Sequence, residues 1–295
     1  MPFDVSVNLA YVGTRGRDGF ADLDINASNM PGGGVESRPY FEEFGRSIAL
    51  WSWGPRIETE YHALQIAVNR PFKNGLLLKG AYAWSKAMGE TTNGEEGWAG
   101  VEWNAPSQLH RNWARQPFDR THVFQLGFLY ELPFARGRTG LASAIVRDWQ
   151  VNGTFFAYSG TPFTVTANNE ISINMPGNLQ TADQIAEPEE IGSIGNAGPW
   201  FDLGAWTQPQ GVRFGDTGRM AYRGPAAWGL DFSVFRGFPL GGTRRLELRL
   251  EAFNVLNHPR FGNPNASVSS PTFMQIFSTD GDVERKLRFG ARFSF

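Results

Sequence analysis

Near the C-terminal end of the chain, apolar and polar residues alternate one for one. Leu287, Phe289, Ala291, Phe293 and Phe295 interleave with Lys286, Arg288, Gly290, Arg292 and Ser294. Upstream, Leu246, Leu248, Leu250 and Ala252 interleave with Arg245, Glu247, Arg249 and Glu251. Successive side chains of a strand leave on opposite faces, so each run carries one apolar and one charged face. A helix with this pattern would spread charge all round its surface. Six further segments read as strands: residues 3–12, 59–70, 75–88, 120–133, 148–166 and 228–238.

The stretch 148–166 is ambiguous, because Ser159-Gly160 either breaks it into two strands or marks a bulge in one. Taken as one strand, it leaves links at about 13–58, 71–74, 89–119, 134–147, 167–227, 239–244 and 257–284, in which long and short alternate. Two of the short links carry hairpin chemistry, Asn74-Gly75 and Gly241-Gly242, and the third carries Gly137 and Gly140. The sequence therefore predicts eight strands joined by tight turns at one end and long links at the other.

Composition narrows the setting. The 295 residues hold 27 Lys and Arg against 29 Asp and Glu, which gives no basic surplus to attract a nucleic acid. Cysteine is absent, which removes disulfides, thiolate zinc sites, iron–sulfur clusters and cysteine nucleophiles. Glycine (35), phenylalanine (24) and tryptophan (10) suit strands and turns better than helices. The most apolar stretches, residues 75–84 and 123–134, are interrupted by Lys79, Gln125 or Glu131 and fall well short of the roughly 20 residues a spanning helix needs. Met1-Pro2-Phe3-Asp4-Val5 shows no basic segment followed by an apolar one, so no signal peptide is expected there, and the chain either stays inside the cell or is a piece of a longer one.

Alternating long strands with short turns on one side and long links on the other are the layout of an antiparallel transmembrane β-barrel of the outer membrane, here a single domain over residues 1–295. If the chain ends on the periplasmic side, every short turn falls in the periplasm and every long link outside the cell. Leu246, Leu248, Leu250, Leu287, Phe289, Phe293 and Phe295 are then expected to face lipid. Arg245, Glu247, Arg249, Glu251, Arg288 and Arg292 are expected to face the lumen, since charge at mid-membrane on the lipid side costs about 2–4 kcal/mol. The lumenal charges either tune solute passage or pair across strands to hold register, with Glu247 and Glu251 on the hairpin partner of the Arg288 strand. Tyr11, Trp84, Tyr130, Trp149, Tyr158 and Trp228 stand near strand ends, where interface girdles form. Trp98, Trp103, Trp200 and Trp206 lie in the long links as candidate ligand contacts.

Catalytic and metal signatures are lacking. His62, His110, His122 and His258 have no ligand spacing, and Glu42-Glu43, Glu95-Glu96 and Glu187–Glu190 read as solvated loop charge. Gly32-Gly33-Gly34 is not followed by Lys-Ser/Thr, and Gly-x-Ser-x-Gly does not occur. No cofactor, metal or catalytic residue is expected.

Several segments in order resemble one family: Tyr82-Ala-Trp-Ser-Lys-Ala87, Tyr130-Glu-Leu-Pro-Phe134 with Gly137-Arg138, Trp149-Gln-Val-Asn-Gly153, Ser159-Gly-Thr-Pro-Phe-Thr-Val165, Arg223-Gly-Pro225 and Asp231-Phe-Ser-Val-Phe235. Glu251-Ala-Phe-Asn-Val-Leu-Asn-His-Pro-Arg-Phe-Gly-Asn-Pro264 is the most specific, and Arg288-Phe-Gly-Ala-Arg-Phe-Ser-Phe295 closes the series. Together they resemble the C-terminal barrel portion of TonB-dependent receptors and transporters, in particular the Oar-like group with a carboxypeptidase-regulatory-like domain. The resemblance implies an outer-membrane transporter for a large nutrient, with a wall of about 22 strands around a plug. It also implies outer-membrane lipid as surroundings, the outer-membrane assembly machinery engaging the C-terminal strand, and an energy-coupling inner-membrane complex. The 295 residues contain no stretch resembling the plug, the coupling segment or the regulatory domain, and eight strands supply about a third of such a wall. Two other readings stay open: a secreted β-sandwich carbohydrate-binding module or glycosidase using the loop tryptophans as sugar platforms, and a truncated or small closed barrel with a structural or adhesive role.

Overall fold

The computed structural model describes residues 4–91, 100–134, 140, 147–281 and 283–295. Its strands are β1 (Ser6–Asp24), β2 (Trp51–Lys73), β3 (Leu76–Gly89), β4 (Ala114–Arg115), β5 (His122–Glu131), β6 (Trp149–Tyr158), β7 (Pro162–Phe163), β8 (Asp183–Gln184), β9 (Trp206–Thr207), β10 (Tyr222–Arg223), β11 (Ala227–Gly241), β12 (Arg244–Phe253) and β13 (Lys286–Ser294). Eight of them form one antiparallel meander in the order β1-β2-β3-β5-β6-β11-β12-β13, with β4 a short addition on β3. Asn74 and Gly75 take positive φ in the β2–β3 turn, as do Gly241 and Gly242 in the β11–β12 turn, the backbone that tight hairpins demand. The predicted hairpin glycine Gly137 lies outside the described residues.

Register makes the alternation a property of the whole sheet. Leu64 lies opposite Trp84, and Trp84 opposite His122. Phe124 pairs with Ala157, and Ala157 with Trp228. Val234 lies opposite Leu250, and Leu250 opposite Phe289. Directly paired residues share a face, so one apolar surface crosses all eight strands. From Val7, Leu9 and Tyr11 it passes through Leu126 and Phe155 to Leu248 and Phe293. Gly153, between Phe128 and Phe232 in this surface, has no side chain and leaves room for the Phe128 ring. The opposite face carries Asn8, Gln65, Lys79, Gln125, Thr154, Asp231, Glu251 and Arg288.

Three sequence expectations are corrected. Residues 148–166 are not one strand: β6 ends at Tyr158, and β7 pairs with β10 away from the wall. At Gly160 a Cβ would fall 1.8 Å from the Gly224 carbonyl oxygen, so the chain turns off the sheet where only glycine permits that approach. β1 extends to Asp24 and β2 starts at Trp51, which shortens the predicted 13–58 link to 25–50. The sandwich reading fails, because the eight long strands belong to a single sheet and the other two sheets have two short strands each among the described residues. The sheet is open: β1 and β13 end its strand order, so the eight strands do not close on each other.

The buried core sits in the long links, not in the wall. Phe163, Val165, Ala182, Phe201, Ala205, Trp206, Phe273 and Met274 form one cluster, and Ala105, Ile173 and Met175 another. The links fold together as a cap over one end of the sheet.

Candidate functional site

Two surfaces have the composition to act on a solute: the polar face of the wall and the cap above it. On the polar face, Glu251 lies opposite Arg288, with Arg288 Nε 3.7 Å from Glu251 Oε2. Glu247 lies opposite Arg292 and is also bound by Arg249 on its own strand, Nε to Oε1 at 2.6 Å. The Arg249 guanidinium stacks 5.3 Å from the Phe235 ring. Of these contacts Arg288–Glu251 crosses strands and Arg249–Glu247 runs along β12. Arg245 continues the same face toward the hairpin end.

On β13, which ends the sheet, both faces are exposed, Leu287, Phe289 and Phe293 as well as Arg288 and Arg292, and Phe295 beyond it is exposed too. On β12, which has neighbours on both sides, the apolar Leu248 and Leu250 are exposed while Glu247, Arg249 and Glu251 are half-buried. A water-soluble protein would reverse that order. Leu246 is half-buried beside Phe293.

Aromatic residues band the apolar face at two levels. Near the cap, the Tyr11 hydroxyl is 2.6 Å from His62 Nδ1 and the Tyr82 hydroxyl 2.7 Å from His122 Nδ1. Trp84 stands between these stacked pairs, and Trp228 stacks on His258 at 3.8 Å. At the hairpin end are Tyr130, Trp149 and Phe238, with Arg236 buried beneath the rings of Trp149 and Phe238. His122 and Tyr130 are eight residues apart on β5, roughly 27 Å along a strand. At a tilt of about 40° that is a height of about 21 Å, near the ~25 Å apolar band of outer-membrane barrels. Tyr158 departs from the predicted girdle, because register puts it on the polar face, where its hydroxyl accepts from Gln125 Nε2.

The cap is tied by polar side chains that alternation does not single out. Asn178 Oδ1 accepts from the Asn104 and Ala105 amides at 3.0 and 2.8 Å, and its Nδ2 donates to the Ser28 carbonyl at 2.8 Å. One side chain thereby joins three links. Asp24 accepts from the Asn26 and Leu50 amides and from Arg38 Nη1 at 3.1 Å. Asp119 is bonded by Arg223 and by the Ala87 amide. Arg219 donates to the Thr91 and Gly89 carbonyls, each at 2.7 Å. Burial pushes the Glu102 carboxyl above the usual carboxylate range, and Arg219 opposes that shift only in part.

Among the four loop tryptophans, Trp103 is 0% and Trp206 4% exposed, which corrects the expectation that they contact a ligand. Trp206 meets Phe201, Tyr222 and Phe273 edge-on, and Trp103 lies under the Arg111 guanidinium at 4.7 Å. Trp200 packs half-buried on the main cap cluster. Trp98 and Glu95-Glu96 lie outside the described residues.

An open antiparallel wall with one continuous apolar face, two aromatic bands and a polar reverse is the architecture of part of an outer-membrane β-barrel. The family model described as outer membrane beta barrel domain matches residues 1–288, so the chain belongs to that family and its place is the outer membrane. No curated protein matches the sequence. Among solved structures the chain is similar to the outer membrane transporter YddB from Escherichia coli, at 8% identity and a TM-score of 0.48. The match covers 97% of this chain and 30% of that one, so the chain spans less than a third of the transporter's length.

Proposed function

We propose that this chain forms a section of the wall of a TonB-dependent-receptor-like transporter of the Oar-like group, which takes up or binds at the cell surface a large nutrient and performs no catalysis. The observation that carries this reading is the division of faces across all eight strands, combined with free edges on β1 and β13. Unpaired strand edges are not tolerated against lipid, so the wall requires further strands to complete it. In this reading Leu246, Leu248, Leu250, Leu287, Phe289, Phe293 and Phe295 meet lipid. Arg245, Glu247, Arg249, Glu251, Arg288 and Arg292 line the lumen. The remaining barrel and plug, an energy-coupling inner-membrane complex and the assembly machinery at β13 are the proposed partners, and the cap is where the solute is selected.

Because the chain has no cysteine, each introduced thiol is unique. In intact outer membranes, a hydrophilic thiol reagent is expected to label Arg249→Cys and Arg288→Cys but not Leu250→Cys or Phe289→Cys. The reverse pattern overturns the assignment of faces. For transport, cells lacking the protein are expected to lose uptake of a large solute, and collapsing the proton gradient should abolish uptake in the parent strain. Uptake unaffected by either treatment removes the transporter reading.

A further inference from the structure

Above the aromatic band on the apolar face, the side chains change from greasy to cationic within one turn of the pleat. β3 sends Leu78, Tyr82 and Trp84 to this face, and the next residue on it is Lys86. Arg115 on β4 lies opposite Met88, so it shares that face and stands diagonal to Lys86. Two adjoining cavities meet at this pair. One, of about 380 Å³, is lined by Tyr11, Leu64 and Trp84 and by Lys86 and Arg115 themselves. The other, of about 360 Å³, rises from Lys86 and Arg115 past Trp113 to Arg111 and Arg219.

Neither Lys86 nor Arg115 has a hydrogen-bond acceptor among the described residues. The nearest acidic oxygen to Arg115 is Asp119 Oδ2 at 3.9 Å, a carboxylate already bonded by Arg223. Glu60 lies outside the two linings and shares Arg15 with Glu58. Among the lining residues, Asp216 is the one carboxylate, and it accepts from the Gln184 amide at 2.8 Å. Against it stand Lys86, Arg111, Arg115 and Arg219, of which Arg219 is drawn to Glu102 and Glu90. Positive charge is therefore left in excess at the level where a bilayer's headgroups begin, directly above a hydrocarbon-lined groove.

We propose that this groove holds a phosphorylated, acylated glycolipid of the outer leaflet, with an acyl chain along Tyr11, Leu64 and Trp84 and a phosphate between Lys86 and Arg115. Long cationic side chains with apolar stems suit such a boundary, and a phosphate offers the planar Arg115 guanidinium two oxygens for a bidentate pair. The proposal rests on the apolar face meeting lipid.

The test uses the protein extracted in detergent and two probes, bis-phosphorylated lipid A and the same lipid with its phosphates removed, with retained lipid read by native mass spectrometry. At least tenfold greater retention of the phosphorylated form is expected, and Lys86→Gln/Arg115→Gln should erase the difference. Equal retention of both lipids, or an unaltered double variant, overturns the proposal. Inorganic phosphate alone, at millimolar concentration, is expected not to displace the lipid; full displacement overturns the acyl part. Should the double variant fail to insert, Lys86→Gln alone, at an exposed position, is expected to lower retention at least threefold, and no change overturns the proposal. Heat-modifiable gel mobility separates the two levels of failure. A protein that stays monodisperse without detergent defeats the barrel reading, whereas an inserted barrel with no phosphate preference defeats only this inference.

Discussion

Arg288 faces Glu251 across the β12–β13 ladder, its Nε 3.7 Å from the carboxylate, while one residue along Phe289 faces Leu250 on the other side of the sheet. The two neighbours are one covalent step apart and belong to different solvents. Phe289→Arg puts a charge on the apolar face at mid-strand and is expected to cost about 2–4 kcal/mol there. Arg288→Leu, at an exposed position with a long ion pair, is expected to cost less than about 1 kcal/mol. The yield of heat-modifiable barrel in outer membranes checks both, and the prediction fails if the two variants assemble alike.

Asn178 binds three links with one amide group. Asn178→Ala leaves the Asn104 and Ala105 amides and the Ser28 carbonyl without this partner in a buried setting. At about 1 kcal/mol for each bond, with more where a buried group is stranded, a loss of about 2–4 kcal/mol is expected, confined to the cap. Limited proteolysis of the 25–50 and 159–226 segments, with gel mobility as the control for the wall, measures it. Simultaneous loss of both would show that cap and wall are one cooperative unit.

Gly160→Ala tests the turn at which the chain leaves β6. Its Cβ would meet the Gly224 and Pro225 backbone, which cannot move aside as a flexible side chain can. Displacement of β7 from β10 is expected, weakening the contact of Phe163 with Tyr222. A marked rise in protease sensitivity near residues 159–165 is the readout; unchanged sensitivity would show that the approach is looser than the geometry implies.

Glu102 gives the cap a pH dependence of known sign. Burial raises its carboxyl above the usual carboxylate range, so the folded cap binds this proton more tightly than the unfolded chain does. The stabilising effect is present at low pH and is lost as pH rises from about 4.5 through the raised value. Glu102→Gln is therefore expected to raise the thermal midpoint of the cap at neutral pH and to make little difference below about pH 4.5. A variant less stable than the parent at neutral pH would show that attraction to Arg219 outweighs burial.

The wall was legible in the sequence because its rule is local. Leu246 to Ala252 and Leu287 to Phe293 announce their faces without knowledge of their neighbours, and Asn74-Gly75 marks its own turn. Lys86 is legible in principle as the first charge after Leu78, Tyr82 and Trp84 on the same parity, but nothing local separates it from an ordinary solvated strand end. The cap was not legible. Nothing local distinguishes Trp103 and Trp206, which are buried, from tryptophans poised for a sugar, because their burial depends on Arg111, Phe201, Tyr222 and Phe273 arriving from other links. The same holds for Ser159-Gly160, where strand propensity continues and a distant backbone at Gly224 decides the path.

The cap's core takes Phe163 and Val165 from one link and Phe273 and Met274 from the last. Those contacts span the synthesis of β11 and β12, so the core cannot be complete until nearly the entire polypeptide exists. Closing such wide loops is slow unless something first brings their ends together, and here the meander does so. Assembly thus has a built-in sequence in time, in which the ribbon zips neighbour to neighbour and the lid sets last, so a stalled barrel would be recognised by a fully paired wall beneath a still-molten roof.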